Sequence, residues 1–280
     1  MIETVIRGIE ELLKANLSDT FFRSRKYKVQ DRSFLDLHVH LRVPGNEEEA
    51  KRFLDMLTKR VDGIALSYFG RKESGIASYD DFIDALRKFL PRNYFIFDRG
   101  LGALVRNENT EQETVIFKAQ EFDRTKQGLD VMGVGVREYI PNPNVMRPDS
   151  FDACEIADKF RRQGAFTYIE HFCADEITTI PEEKRKSWHK GLSRLGWCWR
   201  TYNKKGDRKE LIRVFDSVDA VEIFNGFTML WMAVQNAISY GVIEEYLKRG
   251  NKAVIAGSDT HLDIDAVGCA GIYFPTLDLK

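Results

Sequence analysis

The chain has 280 residues, 43% of them hydrophobic and 30% charged, which is enough for a sizeable core and implies one α/β domain without covalent staples. Its 42 basic and 43 acidic side chains nearly cancel, leaving a formal charge of −1. That balance gives no global field for gripping a long nucleic acid and favours a small or local substrate.

Residues Ile2 to Leu17 carry Val5, Ile9, Leu12 and Leu13 at helical spacing, so residues 1–33 read as a helical extension packing outside the domain that follows. No apolar leader and no run near the roughly 18 apolar residues of a spanning helix is present, which points to a cytoplasmic protein. From Phe34 onward apolar runs alternate with amphipathic stretches: strand-like 34–39, 62–67 and 93–97, helix-like 47–60 and 79–90. The rhythm continues with strands at Val115 to Phe122, Val131 to Val136, Ala165 to Ile169, Ala220 to Phe224 and Ala253 to Ala256. Helices are expected at Phe151 to Gln163, after Pro181, and from Thr228 to Lys248. Seven or so parallel strands with intervening helices imply a barrel, whose strand C-termini share one mouth.

Cys154, Cys173, Cys198 and Cys269 are scattered without Cys-x-x-Cys spacing, so they read as reduced thiols. Histidine is more telling. In Phe34-Leu35-Asp36-Leu37-His38-Val39-His40, strand alternation turns both imidazoles to one face, with Leu37 and Val39 on the other. A second cluster, Gly257-Ser258-Asp259-Thr260-His261, follows the last apolar run, and His171 ends another strand. Four strand-end histidines with nearby carboxylates would converge at a barrel mouth as a metal site.

These motifs resemble those of the polymerase and histidinol phosphatase (PHP) family of metal-dependent phosphoesterases, over roughly residues 34 to 274. Asp36-Leu37-His38-Val39-His40 is similar to its first motif and Gly257-Ser258-Asp259-Thr260-His261, with Val267-Gly268, to its last. Ala119-Gln120-Glu121-Phe122 looks like its strand ending in a bridging Glu, and Tyr168-Ile169-Glu170-His171 like its strand ending in a ligand His. Val221-Glu222-Ile223-Phe224-Asn225 looks like its Glu-x-x-Asn strand. The resemblance implies a distorted (β/α)7 barrel over 34–280.

The chain departs from the family at three places. Asp130 stands where the family usually has His, an exchange towards a harder ligand. Pro44-Gly45-Asn46 replaces Ser-Asp-Gly, and Ser67-Tyr68-Phe69 replaces Thr-Asp-His; both losses fall on one ion of a trinuclear cluster. The resemblance therefore implies two divalent ions, zinc, manganese or iron, rather than three. One is assigned to His38, His40, Glu121 and Asp259, the second to Glu121, Asp130 and His171.

A hydroxide bridging the two ions would attack phosphorus in line, in keeping with the absence of a Gly-x-Ser-x-Gly nucleophile elbow. His261 is expected to protonate the leaving oxygen. Arg42 or Arg71 would supply the charge of the missing ion as a phosphate fork, with Arg137 as a further substrate contact. Glu222 and Asn225 would orient ligand imidazoles, while Glu170, next to His171, is expected to point away. His189 reads as solvent-facing, and Met229, Trp231 and Met232 as core. The Trp197 to Lys205 segment, mixing aromatic and basic residues, fits a packed flap or a base-stacking track.

The expected function is hydrolysis of a small phosphorylated metabolite or nucleotide. The alternatives are an exonuclease acting on single-stranded nucleic acid, a non-catalytic metal-binding scaffold, and an amide-hydrolysing barrel.

Overall fold

Period-two strands alternating with capped amphipathic helices build a single curved sheet in the computed structural model, which describes residues 32–71, 75–123, 125–127, 129–142, 151–170, 208–226, 252–261 and 267–275. The expected N-terminal helix, the helices after Pro181 and from Thr228, His189 and the Trp197 to Lys205 segment lie outside these residues.

The strands are β1 (Arg32–His40), β2 (Gly63–Tyr68), β3 (Tyr94–Asp98), β4 (Gly102–Asn107), β5 (Glu113–Phe122) and β6 (Asp130–Val134). They continue as β7 (Phe166–Glu170), β8 (Ala220–Asn225), β9 (Ala253–Gly257), β10 (Thr260–His261) and β11 (Ile272–Pro275). The helices are α1 (Glu47–Arg60), α2 (Tyr79–Lys88), α3 (Ala153–Arg162) and α4 (Arg208–Ser217). The sheet runs β10-β1-β2-β5-β6-β7-β8-β9. Since β9 leads into β10 across only Ser258 and Asp259, and β10 pairs with β1, the path nearly closes into a barrel.

The expectation of uniformly parallel strands needs correction. β6 runs antiparallel to both β5 and β7, and a hairpin, β3–β4, occupies the lower edge of β5 beside it. β11 pairs antiparallel with the start of β1. The reversal of β6 puts its N-terminal Asp130, rather than its C-terminus, level with the C-terminus of β7, where it pairs with Glu170.

The helices start where side chains satisfy their first N–H groups. Asn46 accepts from Glu49 N and Ser78 from Asp81 N, and acidic residues follow each cap, complementing the helix dipole. Phe53, Leu54 and Leu57 of α1 and Phe82, Ile83 and Leu86 of α2 pack on Val39, Ile64, Leu66 and Ile116 outside the barrel. Full burial of each large apolar side chain contributes about 1.5–3 kcal/mol. On the opposite flank α3 and α4 bring Ile156, Phe160, Val214 and Phe215 against Phe122, Val131, Ile169 and Val221.

Inside the barrel, Leu35, Leu37, Ala65, Ala119, Met132, Tyr168, Ala220 and Ile255 form a third apolar cluster. Two residues from these, on the same strand faces and towards the mouth, come Glu121, Asp130, Glu170 and Glu222. The period of two thus converts an apolar plug into a polar layer.

Candidate metal centre

β1 carries a bulge: Asp36 to Val39 oppose only Ile64 to Leu66 of β2. The extra residue resets the alternation, so Leu37 joins the inner cluster while His38 also reaches the inner polar layer. The expectation that Leu37 shares a face with Val39 is thereby overturned. Tyr168 donates its hydroxyl hydrogen to the Leu37 carbonyl, 2.7 Å away. Asp36 pairs across from Ile64, away from the imidazoles, and accepts from Ser258 N (2.9 Å) and Gly268 N (2.8 Å), tying β1 to the end of the sheet.

The two imidazoles present their Nε2 atoms to each other at 3.2 Å. Their Nδ1 atoms face acceptors, Glu222 Oε1 at 3.3 Å for His38 and the Ser67 carbonyl at 3.0 Å for His40. A carbonyl only accepts, so His40 carries its proton on Nδ1, and the same tautomer suits His38. In its neutral form each ring would then offer an Nε2 lone pair to a cation.

Around those nitrogens stand more acceptors. Glu121 Oε2 lies 2.9 Å from His40 Nε2 and 3.4 Å from His38 Nε2, Glu170 Oε2 lies 3.1 Å from His38 Nε2, and Asp259 Oδ1 lies 3.4 and 3.9 Å from the two nitrogens. All these residues are buried. Asp259 reaches the site through a left-handed turn, φ 49°, with its N–H donating to the His38 carbonyl at 2.8 Å. Gly257 is required beside it, because a Cβ there would come within 2.5 Å of His38 Cβ and 3.0 Å of Glu222 Oε1.

Burial pushes the His38 imidazole pKa down, but Glu170, Asp259 and Glu222 together hold it well above its ordinary value. Burial likewise pushes the Glu121 carboxyl up, and the His38 and His40 imidazoles outweigh that and hold it far below the usual carboxylate range. A buried set of lone pairs this dense calls for a cation. His38, His40 and Glu121 place one donor atom each within 4.8 Å of one another, so these residues can hold a divalent metal ion.

Glu170 is the residue that sequence reasoning missed. It was expected to point away, yet its parity is that of Phe166 and Tyr168, which face inward, while Ile169 belongs to the outer core. The two aromatic residues were the available signal. Asp130 faces Glu170 across the β6–β7 ladder. His171 lies outside the described residues. His261 is in register with His40 and Asn225 with Gly257, but both side chains lie outside what is described.

The arginines are placed differently from one another. Arg42 forks onto Glu49 at 2.8 and 3.3 Å on the rim of the barrel and is half-exposed. Arg71 forks onto Asp123 at 2.6 and 2.8 Å, and Asn142 Nδ2 donates to the same carboxylate at 2.7 Å. The Arg71 guanidinium also sits 5.2 Å from the centre of Phe69, whose ring stacks on His40. Arg137 is not brought to the mouth. It follows the end of β6 remote from Asp130, is exposed, and its N–H donates to Gln163 Oε1.

Among the described residues Cys154 and Cys269 are free thiols, and no helix is long and apolar enough to cross a membrane. No protein-family model matches the chain, and no curated protein does. Four solved chains match its structure. One is a two-domain protein from Bacteroides vulgatus ATCC 8482 containing a predicted PHP-like metal-dependent phosphoesterase, at 14% identity and TM-score 0.41, covering 82% of this chain and 52% of that one. The chain thus spans about half the length of that protein.

Proposed function

We propose that this chain is a metal-dependent phosphoesterase acting on a small phosphorylated metabolite or nucleotide. The observation that carries the reading is the meeting of His38 and His40 Nε2, 3.2 Å apart, with the Glu121 carboxylate at the barrel mouth. The order of motifs along the chain directs that centre towards phosphate esters. Divalent ions bound there would supply Lewis acidity and a water acidified towards neutrality.

In this reading His38, His40, Asp259 and Glu121 hold one ion, and Glu121 and Asp130, with His171, attend a second. Glu222 fixes the His38 tautomer through Nδ1. His261, in register with His40, gives its proton to the leaving oxygen. Arg71 and Arg42 hold phosphoryl oxygens at the rim. Arg137, at the far end of β6, takes no part.

A hydrolysis screen with Mn2+, Zn2+ and Fe2+ over phosphomonoesters, phosphodiesters and a labelled oligonucleotide tests it. Turnover of a small ester that disappears in His40→Ala is expected. Salt-sensitive cleavage of the oligonucleotide alone would turn the reading to an exonuclease. No turnover with any metal would leave a scaffold.

A further inference from the structure

Three carboxylates crowd His38 Nε2: Glu170 Oε2 at 3.1 Å, Glu121 Oε2 at 3.4 Å and Asp259 Oδ1 at 3.4 Å. With Nδ1 turned to Glu222, that nitrogen is the point on which three carboxylate oxygens and the His40 ring converge. Glu170 is the nearest of the three, and its side chain is fully buried.

The sheet register adds its neighbours. Glu170 pairs with Asp130, and Asp130 is two residues from Met132, the partner of Glu121. Opposed residues of an antiparallel pair share a face with Cβ atoms about 5 Å apart. Glu121, Asp130 and Glu170 therefore occupy one patch of the inner face on three adjacent strands, and no described residue of β5, β6 or β7 is a histidine. His38 and His40 stand on β1, beyond β2.

We propose that Glu170 is a metal ligand, and that Glu121, Asp130 and Glu170 form an all-carboxylate half-site for a hard divalent cation, Mn2+ or Mg2+. The other half, His38, His40 and Asp259, takes a softer ion such as Zn2+. Oxygen-only sets suit hard cations, whereas imidazole suits zinc and iron. Glu121, within reach of both rings and on the carboxylate patch, belongs to both halves. The centre is thus built for two unlike ions. This rests on the metal-centre reading above and changes its second ligand set, with Glu170 in place of His171.

The test loads chelator-stripped full-length chain by dialysis against Mn2+, Zn2+, and both together. Metal content is read by emission spectrometry and the manganese environment by electron paramagnetic resonance. With both metals present, about one zinc and one manganese per chain are expected. Glu170→Gln keeps zinc and loses manganese, His40→Ala loses zinc, and His171→Ala keeps both. Circular dichroism melts confirm folding. Should Glu170→Gln not fold, Glu170→Asp, which withdraws the carboxylate by one methylene, lowers manganese affinity by about tenfold or more.

Full manganese binding by a folded Glu170→Gln overturns the proposal, and loss of manganese in His171→Ala overturns its all-carboxylate character. A wild-type chain that turns over substrate with zinc alone and never binds manganese or magnesium sinks this inference only. A chain that binds neither metal sinks the proposed function with it.

Discussion

The phenyl ring of Phe69 lies flat against the His40 imidazole, ring centroids 4.8 Å apart and planes 10° from parallel. Together with the Ser67 carbonyl on Nδ1, the stack leaves the imidazole one orientation. Phe69→Leu keeps an apolar filler but removes the flat face, so about 1 kcal/mol of stability is lost. Metal affinity is expected to fall about tenfold. Urea denaturation and metal titration of the same variant check both numbers; unchanged metal affinity would show that the Ser67 contact alone aims His40.

Glu222 touches His38 on the side away from the converging nitrogens, through Oε1 and Nδ1 at 3.3 Å. Glu222→Gln retains an oxygen that can accept from Nδ1 but removes the negative charge that makes the ring a better donor to a cation. Metal affinity should weaken by about tenfold or more while the melting temperature moves little. Competition with a chromophoric chelator measures it, and an affinity equal to wild type would reduce Glu222 to a packing residue.

Arg71 and Arg42 are both forked onto carboxylates, but in different surroundings. The Arg71–Asp123 pair is nearly buried beside the Phe69–His40 stack, whereas Arg42–Glu49 is half-exposed on the rim. Arg71→Lys loses the planar fork and should raise KM for a phosphoester about tenfold, with Arg42→Ala changing it less. Metal content should be unaffected in either. Steady-state kinetics at saturating metal decide, and an unchanged KM in both variants would remove the arginines from the substrate site.

Much of this arrangement is legible in the chain before any coordinates. Asn46 followed by three glutamates and the stripe Ala50, Phe53, Leu54, Leu57 marks α1 to its bounds, and the His38–His40 pair with Asp259 marks two walls of the site. Strand direction is another matter. Nothing in the composition of Asp130 to Val134 says that it runs against its neighbours, because alternation looks the same read either way, and this reversal brings Asp130 to the mouth and carries Arg137 away from it. The bulge at Asp36 to Val39 is hidden for a related reason: parity inferred from one end of a strand fails once a residue is inserted. Glu170 is hidden by parity as well: its inward direction follows from Tyr168 and Phe166, two and four residues before it, not from the residue next to it. Only the first strand of the β3–β4 hairpin is legible, because in Gly102 to Asn107 the apolar run is limited to Ala103, Leu104 and Val105 before Arg106 and Asn107 end it.

Asp152 offers a prediction independent of the metal centre. It caps α3, accepting from Cys154 N at 2.9 Å, and it also takes Lys126 Nζ at 2.7 Å, Arg213 Nη2 at 2.6 Å and Gln127 Nε2 at 2.9 Å. Burial pushes its carboxyl up, but the bonds from Lys126, Arg213, Gln127 and the Cys154 N–H outweigh it and hold the pKa below the ordinary value. The unfolded chain takes up the proton near the reference value of about 3.9, where the folded chain does not. The stability from this group is therefore complete above about pH 4 and drains away as pH falls towards the lower folded value. Asp152→Asn isolates the charge, because asparagine caps a helix about as well as aspartate. Denaturant unfolding from about pH 7 down to about pH 3 should show wild type more stable than Asp152→Asn at the upper end, with the gap closing below about pH 4. A gap of constant size across that range would place the contribution in the cap geometry instead of the ion pairs.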